Sequence, residues 1–159
     1  MKAARIKVDV LKRAGMRSPS AATIGTWADA ALGRLASGRE LAVRIVGAAE
    51  SRRLNAHYRG RDHATNVLSF PVSAVALEPS GPRVPATPLG DLVICSRVVA
   101  EEARRQGKSV RAHWAHLVVH GALHLVGYDH ERPRDARRME RREIAVLKRL
   151  GFANPYRSA

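Results

Sequence analysis

The sequence predicts an α/β (α+β) fold, in which a small mixed sheet of about four strands packs with about five helices. Segments with a period of two alternate along the chain with segments of helical period. One helical segment near residue 120 is apolar nearly all round, so we expect one central buried helix. The length of 159 residues fits a single domain, which we expect to span residues 1–159.

Four segments are predicted to be strands, because apolar and polar residues alternate or because a short apolar run ends at a turn residue. In the second of them, Leu41, Val43 and Ile45 share one face. The third stops at Pro71, and residues 71–88 hold five of the eight prolines, which predicts an irregular loop. The predicted strands are residues 5–11, 40–46, 66–70 and 89–95.

Five segments are predicted to be helices from apolar residues three and four positions apart and from the residues at their ends. Ser18 and Pro19 suit the cap and the first position of the first helix, and Gly38 ends it. Ser96 and Ser109 are the predicted caps of the third and fourth helices. Including these caps, the predicted helices are residues 18–36, 48–58, 96–106, 109–126 and 133–150.

The chain is strongly basic, with 28 Lys and Arg against 14 Asp and Glu and a formal net charge of +14. Residues 1–59 carry a net charge of +8, residues 60–100 are neutral, and residues 101–159 carry +6. Ordinary solvation of helix faces explains single arginines but not this imbalance. The charge therefore favours a polyanionic partner, with nucleic acid ahead of an anionic lipid surface.

The composition also indicates the compartment. The one cysteine, Cys95, excludes internal disulfides and a cysteine-ligated structural zinc, and suits a reducing cytosol. Residues 1–9 lack the long apolar core of a signal peptide. The longest run without Asp, Glu, Lys or Arg, residues 112–128, contains four histidines, which argues against a membrane span. We expect a cytoplasmic protein that does not bind membranes.

Four histidines lie on one face of the fourth predicted helix. At about 100° per residue, His113, His116, His120 and His124 form a stripe about 80° wide. Buried imidazoles need partners, and a lone histidine on an apolar face is usually a core residue whose hydrogen bonds are satisfied. Four on one stripe favour a functional site instead.

The segment from His120 to His130 predicts a metal site. His120 and His124, four residues apart, point the same way and can share one ion. Gly127 permits a left-handed turn, after which the chain can bring His130 to the same ion. Three neutral imidazoles leave at least one coordination position open, which is typical of catalytic zinc. We predict one Zn²⁺ per chain, although nickel, cobalt and copper also suit imidazole ligands.

The same spacing matches the metzincin metalloprotease motif, in which a glutamate follows the first histidine. Gly121 occupies that position here, and a glycine cannot act as a general base. Peptide hydrolysis is therefore a less favoured alternative.

Three blocks of the sequence resemble the YbeY family of bacterial endoribonucleases. The first is the string H-G-A-L-H-L-V-G-Y-D-H at residues 120–130. The second is L-N at residues 54–55 with Y-R-G at residues 58–60, followed by Asp62 and by T-N-V-L-S-F-P at residues 65–71. The third is L-G-D-L-V-I at residues 89–94. Together they cover most of residues 54–130, whereas the termini match only in their pattern of elements.

The resemblance implies a single-strand-specific, metal-dependent endoribonuclease that matures the 3′ end of 16S rRNA and acts in ribosome quality control. It implies that His120, His124 and His130 hold zinc and that Arg59 is catalytic. The implied partners are the 16S rRNA precursor and the ribosomal subunit, and we expect no DNA substrate. An arginine suits this role because its guanidinium can hold a phosphate through two hydrogen bonds.

Two further residues are candidates for supporting the metal ligands. His116 precedes His120 by one helical turn, which suits a residue next to the ligands or in the core. Asp129 could orient a ligand histidine or act as a base, and a role in stabilising the turn stays equally open.

A function of another class also stays open, namely an RNA- or ribosome-binding assembly factor whose zinc is structural. The net charge suits the factor and the enzyme equally, since phosphate contacts supply affinity in both. The open coordination position favours the enzyme. Because only 4% of the residues are aromatic, we expect no obvious platform for stacking bases and no sequence-specific reading of RNA.

Overall fold

The computed structural model describes residues 6–72 and 87–157, and these form five α-helices and a four-stranded sheet. The strands are β1 (Lys7–Lys12), β2 (Arg39–Val46), β3 (Val67–Pro71) and β4 (Thr87–Cys95). The helices are α1 (Ala21–Leu32), α2 (Ala48–Arg59), α3 (Ser96–Gln106), α4 (Val110–Leu125) and α5 (Pro133–Arg149), with a short 3-10 helix (Gly33–Ala36) after α1. The predicted α/β fold is confirmed.

The sheet is mixed, as predicted, with the strand order β1-β2-β4-β3. β1, β2 and β4 run parallel, whereas β3 is an edge strand antiparallel to β4. Parallel neighbours need crossover connections, and α1 supplies the one between β1 and β2. Edge strand β3 also contacts α4, which brings the predicted histidine helix to this edge of the sheet.

Both faces of the sheet are covered. Along β4, Leu92 and Ile94 belong to a large core cluster with α1, α4 and α5, whereas Val93 and Cys95 belong to a smaller cluster on the opposite face. Helix α4 lies in the large cluster and contacts α1, α3 and α5 as well as the sheet. The predicted central buried helix is therefore confirmed. In the part of the chain that the structure describes, no helix combines the length and the apolar character needed to cross a membrane.

The first helix differs from the prediction at both ends. α1 begins at Ala21 rather than at Pro19, because the Ser20 side chain accepts a hydrogen bond from the Thr23 amide at 3.1 Å and caps the helix. It ends at Leu32, and the chain then tightens into the 3-10 helix instead of continuing to residue 36.

The predicted Ser96 cap is also wrong, since Ser96 is the first residue of α3 and Cys95 holds the cap position. Cys95 still pairs with Val46 in the sheet and donates its amide to the Asn66 carbonyl at 3.0 Å, so strand β4 runs directly into the helix. The predicted loop at 71–88 is shortened by β3, which includes Pro71, and by β4, which starts at Thr87. Its central part, residues 73–86, and the predicted strand residue Arg5 lie outside the described residues.

Gly90 lies at a bulge in β4, where Glu40 pairs with Pro88 and Leu41 pairs with Gly90. Its φ is +148°, and a Cβ there would lie 2.5 Å from the Phe70 carbonyl oxygen. We expect Gly90→Ala to lower the free energy of unfolding in urea by about 2–4 kcal/mol, because it combines backbone strain with a backbone clash.

Gly107→Ala is the matched control for this prediction. Gly107 also has a positive φ, +65°, but a Cβ there would meet no atom within 4 Å. We expect it to cost only the strain of the left-handed conformation, about 1–2 kcal/mol. Equal losses for the two variants would show that the clash at Gly90 is relieved at no cost.

Candidate active site

The three predicted ligand histidines meet at the end of α4. His120 and His124 lie on the helix and His130 on the turn that follows it, and one ring nitrogen from each lies within 4.8 Å of the other two. The ring centroids are 4.7–5.6 Å apart, and Nε2 of His124 lies 2.8 Å from Nδ1 of His130. His120, His124 and His130 are called the histidine triad below.

The chain reaches His130 through a tight turn. Gly127 has a φ of +102°, which reverses the chain after α4, and the Tyr128 amide donates to the Leu123 carbonyl at 3.1 Å. Asp129 then accepts hydrogen bonds at Oδ1 from the amides of His130 (2.7 Å) and Glu131 (3.1 Å). These bonds hold the pKa of the Asp129 carboxyl below its usual range. Asp129 therefore stabilises the turn that carries His130, in line with the structural role that the sequence left open.

Glu143, on α5, is a site residue that sequence reasoning missed. Its side chain is 1% exposed and accepts hydrogen bonds from Nδ1 of His120 (3.2 Å), Nε2 of His116 (3.0 Å) and the Tyr156 hydroxyl (2.8 Å). Burial by itself would raise the pKa of the Glu143 carboxyl, but the hydrogen bonds from His116 and His120 outweigh it and lower the pKa to about 2. Glu143 is therefore an anion that anchors one member of the triad.

This anchoring determines which nitrogen His120 presents. A carboxylate only accepts hydrogen bonds, so Nδ1 of His120 carries the proton and Nε2 keeps its lone pair for a ligand. His116, predicted as a supporting residue, donates a hydrogen bond from Nε2 to Glu143. It lies beside the triad rather than in it. The atoms of His116, His120 and Glu143 also lie close enough to hold an ion, but their mutual hydrogen bonds account for that grouping.

A signal for Glu143 was present in the sequence. The residues of α5 that lie buried are Met139, Glu143, Val146 and Leu147, which recur at helical spacing. A carboxylate on an otherwise apolar helix face needs a buried partner, and the histidine stripe supplies two donors.

Gly121 lies where α4 packs against the sheet. A Cβ at Gly121 would lie 2.7 Å from Cδ2 of Leu92, which is fully buried on β4. The position is thus occupied by the packed core and has no room for the glutamate that a metzincin carries there. The packing of α4 against Leu92 therefore favours a glycine over a glutamate at this position.

A cleft of about 690 Å³ opens beside the triad, between edge strand β3, the end of α2 and the turn after α4. Arg59, the last residue of α2, lines it, and its Nη2 donates to the Ser69 carbonyl on β3 at 3.2 Å. The structure therefore brings the predicted catalytic arginine into one cleft with the triad and Asp129. Arg61 and His63, to which sequence reasoning gave no role, also line this cleft.

The donor set of the triad fits a divalent metal ion. Burial, with the neighbouring His120 and His130, lowers the pKa of His124 to about 4, so its imidazole is neutral at pH 7 as a ligand must be. The 2.8 Å between His124 and His130 nitrogens is close to the roughly 3.3 Å that separates two nitrogens bound to a tetrahedral zinc ion. His120, His124 and His130 would hold the ion, and all three line the cleft.

Comparison with known proteins gives one family. The sequence profile described as "Endoribonuclease YbeY" matches residues 16–151. A protein from Stenotrophomonas maltophilia with that name is 51% identical over 146 residues, covering 92% of this chain and 88% of that protein. One from Alkalilimnicola ehrlichii, also so named, is 54% identical over 147 residues, covering 91% and 85%.

The fold has a counterpart among solved structures. The solution structure of TM1509 from Thermotoga maritima superposes with a TM-score of 0.57 over 92% of this chain and 91% of that one, at 23% identity. At this identity the likeness concerns the fold alone, and it supports the arrangement of strands and helices described above.

Proposed function

The chain belongs to the YbeY family of endoribonucleases, and from that premise we propose that it cleaves single-stranded RNA with one zinc ion held by His120, His124 and His130. The observation that carries this proposal is the opening of the histidine triad into the same cleft as Arg59. We further propose that the activity resides in one domain and that its substrate is the 3′ region of the 16S rRNA precursor on the ribosomal subunit, in the cytoplasm.

The chain's own residues supply binding and positioning. His120 is held by Glu143, and His130 by the turn that Asp129 stabilises, so two members of the triad are fixed before any ligand arrives. Zinc in this position would supply Lewis acidity toward a phosphoryl oxygen. This arrangement supports an enzyme over a factor whose zinc is only structural, because a structural site is closed by a fourth protein ligand.

Arg59 is proposed to bind the phosphate that is cleaved. Its hydrogen bond to the Ser69 carbonyl fixes the guanidinium at the cleft wall, and its remaining N–H groups are suited to two phosphate oxygens. A guanidinium is positively charged, so it can offset the charge that develops on the phosphate in the transition state.

Arg59→Ala is expected to lower kcat for RNA cleavage by about 100- to 1,000-fold, as the loss of one donor to a developing anion does in other enzymes. Zinc content and the free energy of unfolding should change little, since Arg59 is exposed and not in the triad. The measurement is single-turnover cleavage of precursor 16S rRNA by zinc-loaded protein. Arg53→Ala is the matched control, because Arg53 is an exposed arginine of the same helix that does not line the cleft.

The same samples are incubated with casein to test the two alternatives. Cleavage of RNA that persists unchanged in Arg59→Ala would contradict the role of Arg59. Casein cleavage by the wild type would instead support a peptide hydrolase. RNA binding with no cleavage of either substrate would support the assembly factor.

A further inference from the structure

Tyr58 is a large aromatic ring exposed beside the cleft. The chain holds only two Trp, three Tyr and two Phe, and both tryptophans are buried, at 3% and 2% exposure. Tyr58, on α2, is 59% exposed. Tyr156 is exposed as well, at 46%, but its hydroxyl donates to Glu143, whereas the exposed ring of Tyr58 is available to contact a ligand.

The ring is nonetheless held in place. Tyr58 meets Phe70 edge to face, with centroids 5.1 Å apart and planes at 69°, and meets His57 at 4.5 Å and 87°. Phe70 in turn packs on the smaller core cluster, which contains Leu68 and Val93. A ring fixed on one side and open on the other can accept a flat partner without a large loss of side-chain entropy.

The surroundings of Tyr58 favour a nucleic acid as that partner. Tyr58 and Phe70 do not themselves line the cleft, but Arg59, which follows Tyr58 on α2, and Ser69 and Pro71, which flank Phe70 on β3, do. Arg61 and His63 line the same cleft, and the whole chain carries a net charge of +14. An exposed aromatic ring beside basic groups is the arrangement that binds single strands, with phosphates on the basic groups and a base on the ring.

We propose that Tyr58, seated on Phe70, stacks one unpaired nucleobase of the RNA whose phosphate lies at Arg59. The proposal rests on the endoribonuclease function proposed above and names a part of the substrate that this cleft would recognise. The expectation of no obvious stacking platform rests on the aromatic content alone, whereas this proposal rests on the position of one ring, which is enough for one base. A base in a duplex already stacks on both sides, so Tyr58 would favour unpaired RNA, without preference for one base.

The test measures binding of an unstructured RNA oligonucleotide by Tyr58→Leu and Tyr58→Trp. Leucine keeps an apolar cover over Phe70 but lacks a flat ring, whereas tryptophan keeps the ring. We expect Tyr58→Leu to weaken binding about 5- to 150-fold and to raise KM more than it lowers kcat, with Tyr58→Trp close to wild type. Leu35→Ala is the control, because Leu35 is an exposed apolar side chain on the 3-10 helix, which contributes none of the residues that line the cleft, whereas α2 contributes Arg59.

A set of oligonucleotides, each with one abasic position, distinguishes base stacking on Tyr58 from a role in which Tyr58 only covers Phe70. For the wild type, one abasic position should weaken binding by about the same factor as Tyr58→Leu, and in Tyr58→Leu that position should have no further effect. The stacking proposal is wrong if Tyr58→Leu binds and cuts RNA like wild type, or if no abasic position is coupled to Tyr58. Neither result would contradict the proposed endoribonuclease function. If the coupling is found but wild type cuts no RNA, the proposed endoribonuclease function is wrong, and the proposal that Tyr58 stacks a base is still supported.

Discussion

Replacing His124 with alanine is expected to lower zinc affinity by more than about 100-fold and to abolish RNA cleavage. Loss of a residue that only supports a ligand already costs about 10- to 100-fold in metal affinity, and His124 is proposed as a ligand itself. Its Nε2 lies 2.8 Å from His130, at the centre of the triad. Zinc affinity is measured by competition with a chelator of known affinity, and cleavage with precursor 16S rRNA.

His63→Ala is the matched control for metal binding. His63 is an exposed histidine that lines the same cleft, but it is not one of the three residues whose nitrogens meet. It should keep one zinc per chain. Unchanged zinc affinity in His124→Ala would rule out the triad as the metal site, and RNA cleavage at the wild-type rate by this variant would contradict the role of His124.

The replacement of Glu143 by glutamine should weaken zinc binding by about 10- to 100-fold without removing the triad. A glutamine is similar in size but neutral, so it holds the Nδ1 proton of His120 less firmly and turns an N–H₂ group toward one of its three donors. Glu143→Ala should also lower the free energy of unfolding by about 1–3 kcal/mol, because it leaves the partly buried donors of His116 and His120 without their acceptor.

Glu102→Gln provides the control for this effect. Glu102 also accepts a hydrogen bond from a buried histidine, Nε2 of His113 at 2.9 Å, but neither residue belongs to the triad. It should lower stability without changing zinc affinity. Equal zinc affinities for wild type and Glu143→Gln would show that His120 does not need the carboxylate for its orientation.

Local pattern was enough to predict the helix and the three histidines that meet at its end. Helix geometry alone places His120 and His124 on the same face, because they are four residues apart. Gly127 predicts the turn that brings His130 back to them. The same kind of reasoning placed the cap of α1 two residues early, at Ser18 instead of Ser20, because Pro19 after Ser18 suits the first position of a helix. Which of them accepts the first amide depends on how the helix packs.

Contacts between segments that are distant in the sequence could not be predicted from local pattern. Glu143 lies 23 residues after His120, and the bond between them depends on how α5 packs against α4. Tyr58 meets Phe70 only because the end of α2 lies against edge strand β3, which Arg59 also bonds. Composition counts aromatic residues but does not say which one the fold leaves exposed.

The most direct measurement is RNA cleavage by metal-free protein as zinc is added back. Activity should be absent without metal, rise in proportion to zinc, and level off at one zinc per chain, whereas His130→Ala should stay inactive at the same zinc concentrations. Full cleavage by metal-free wild type, or one tightly bound zinc per chain in a variant with His120, His124 and His130 all replaced by alanine, would contradict the metal centre proposed for this protein.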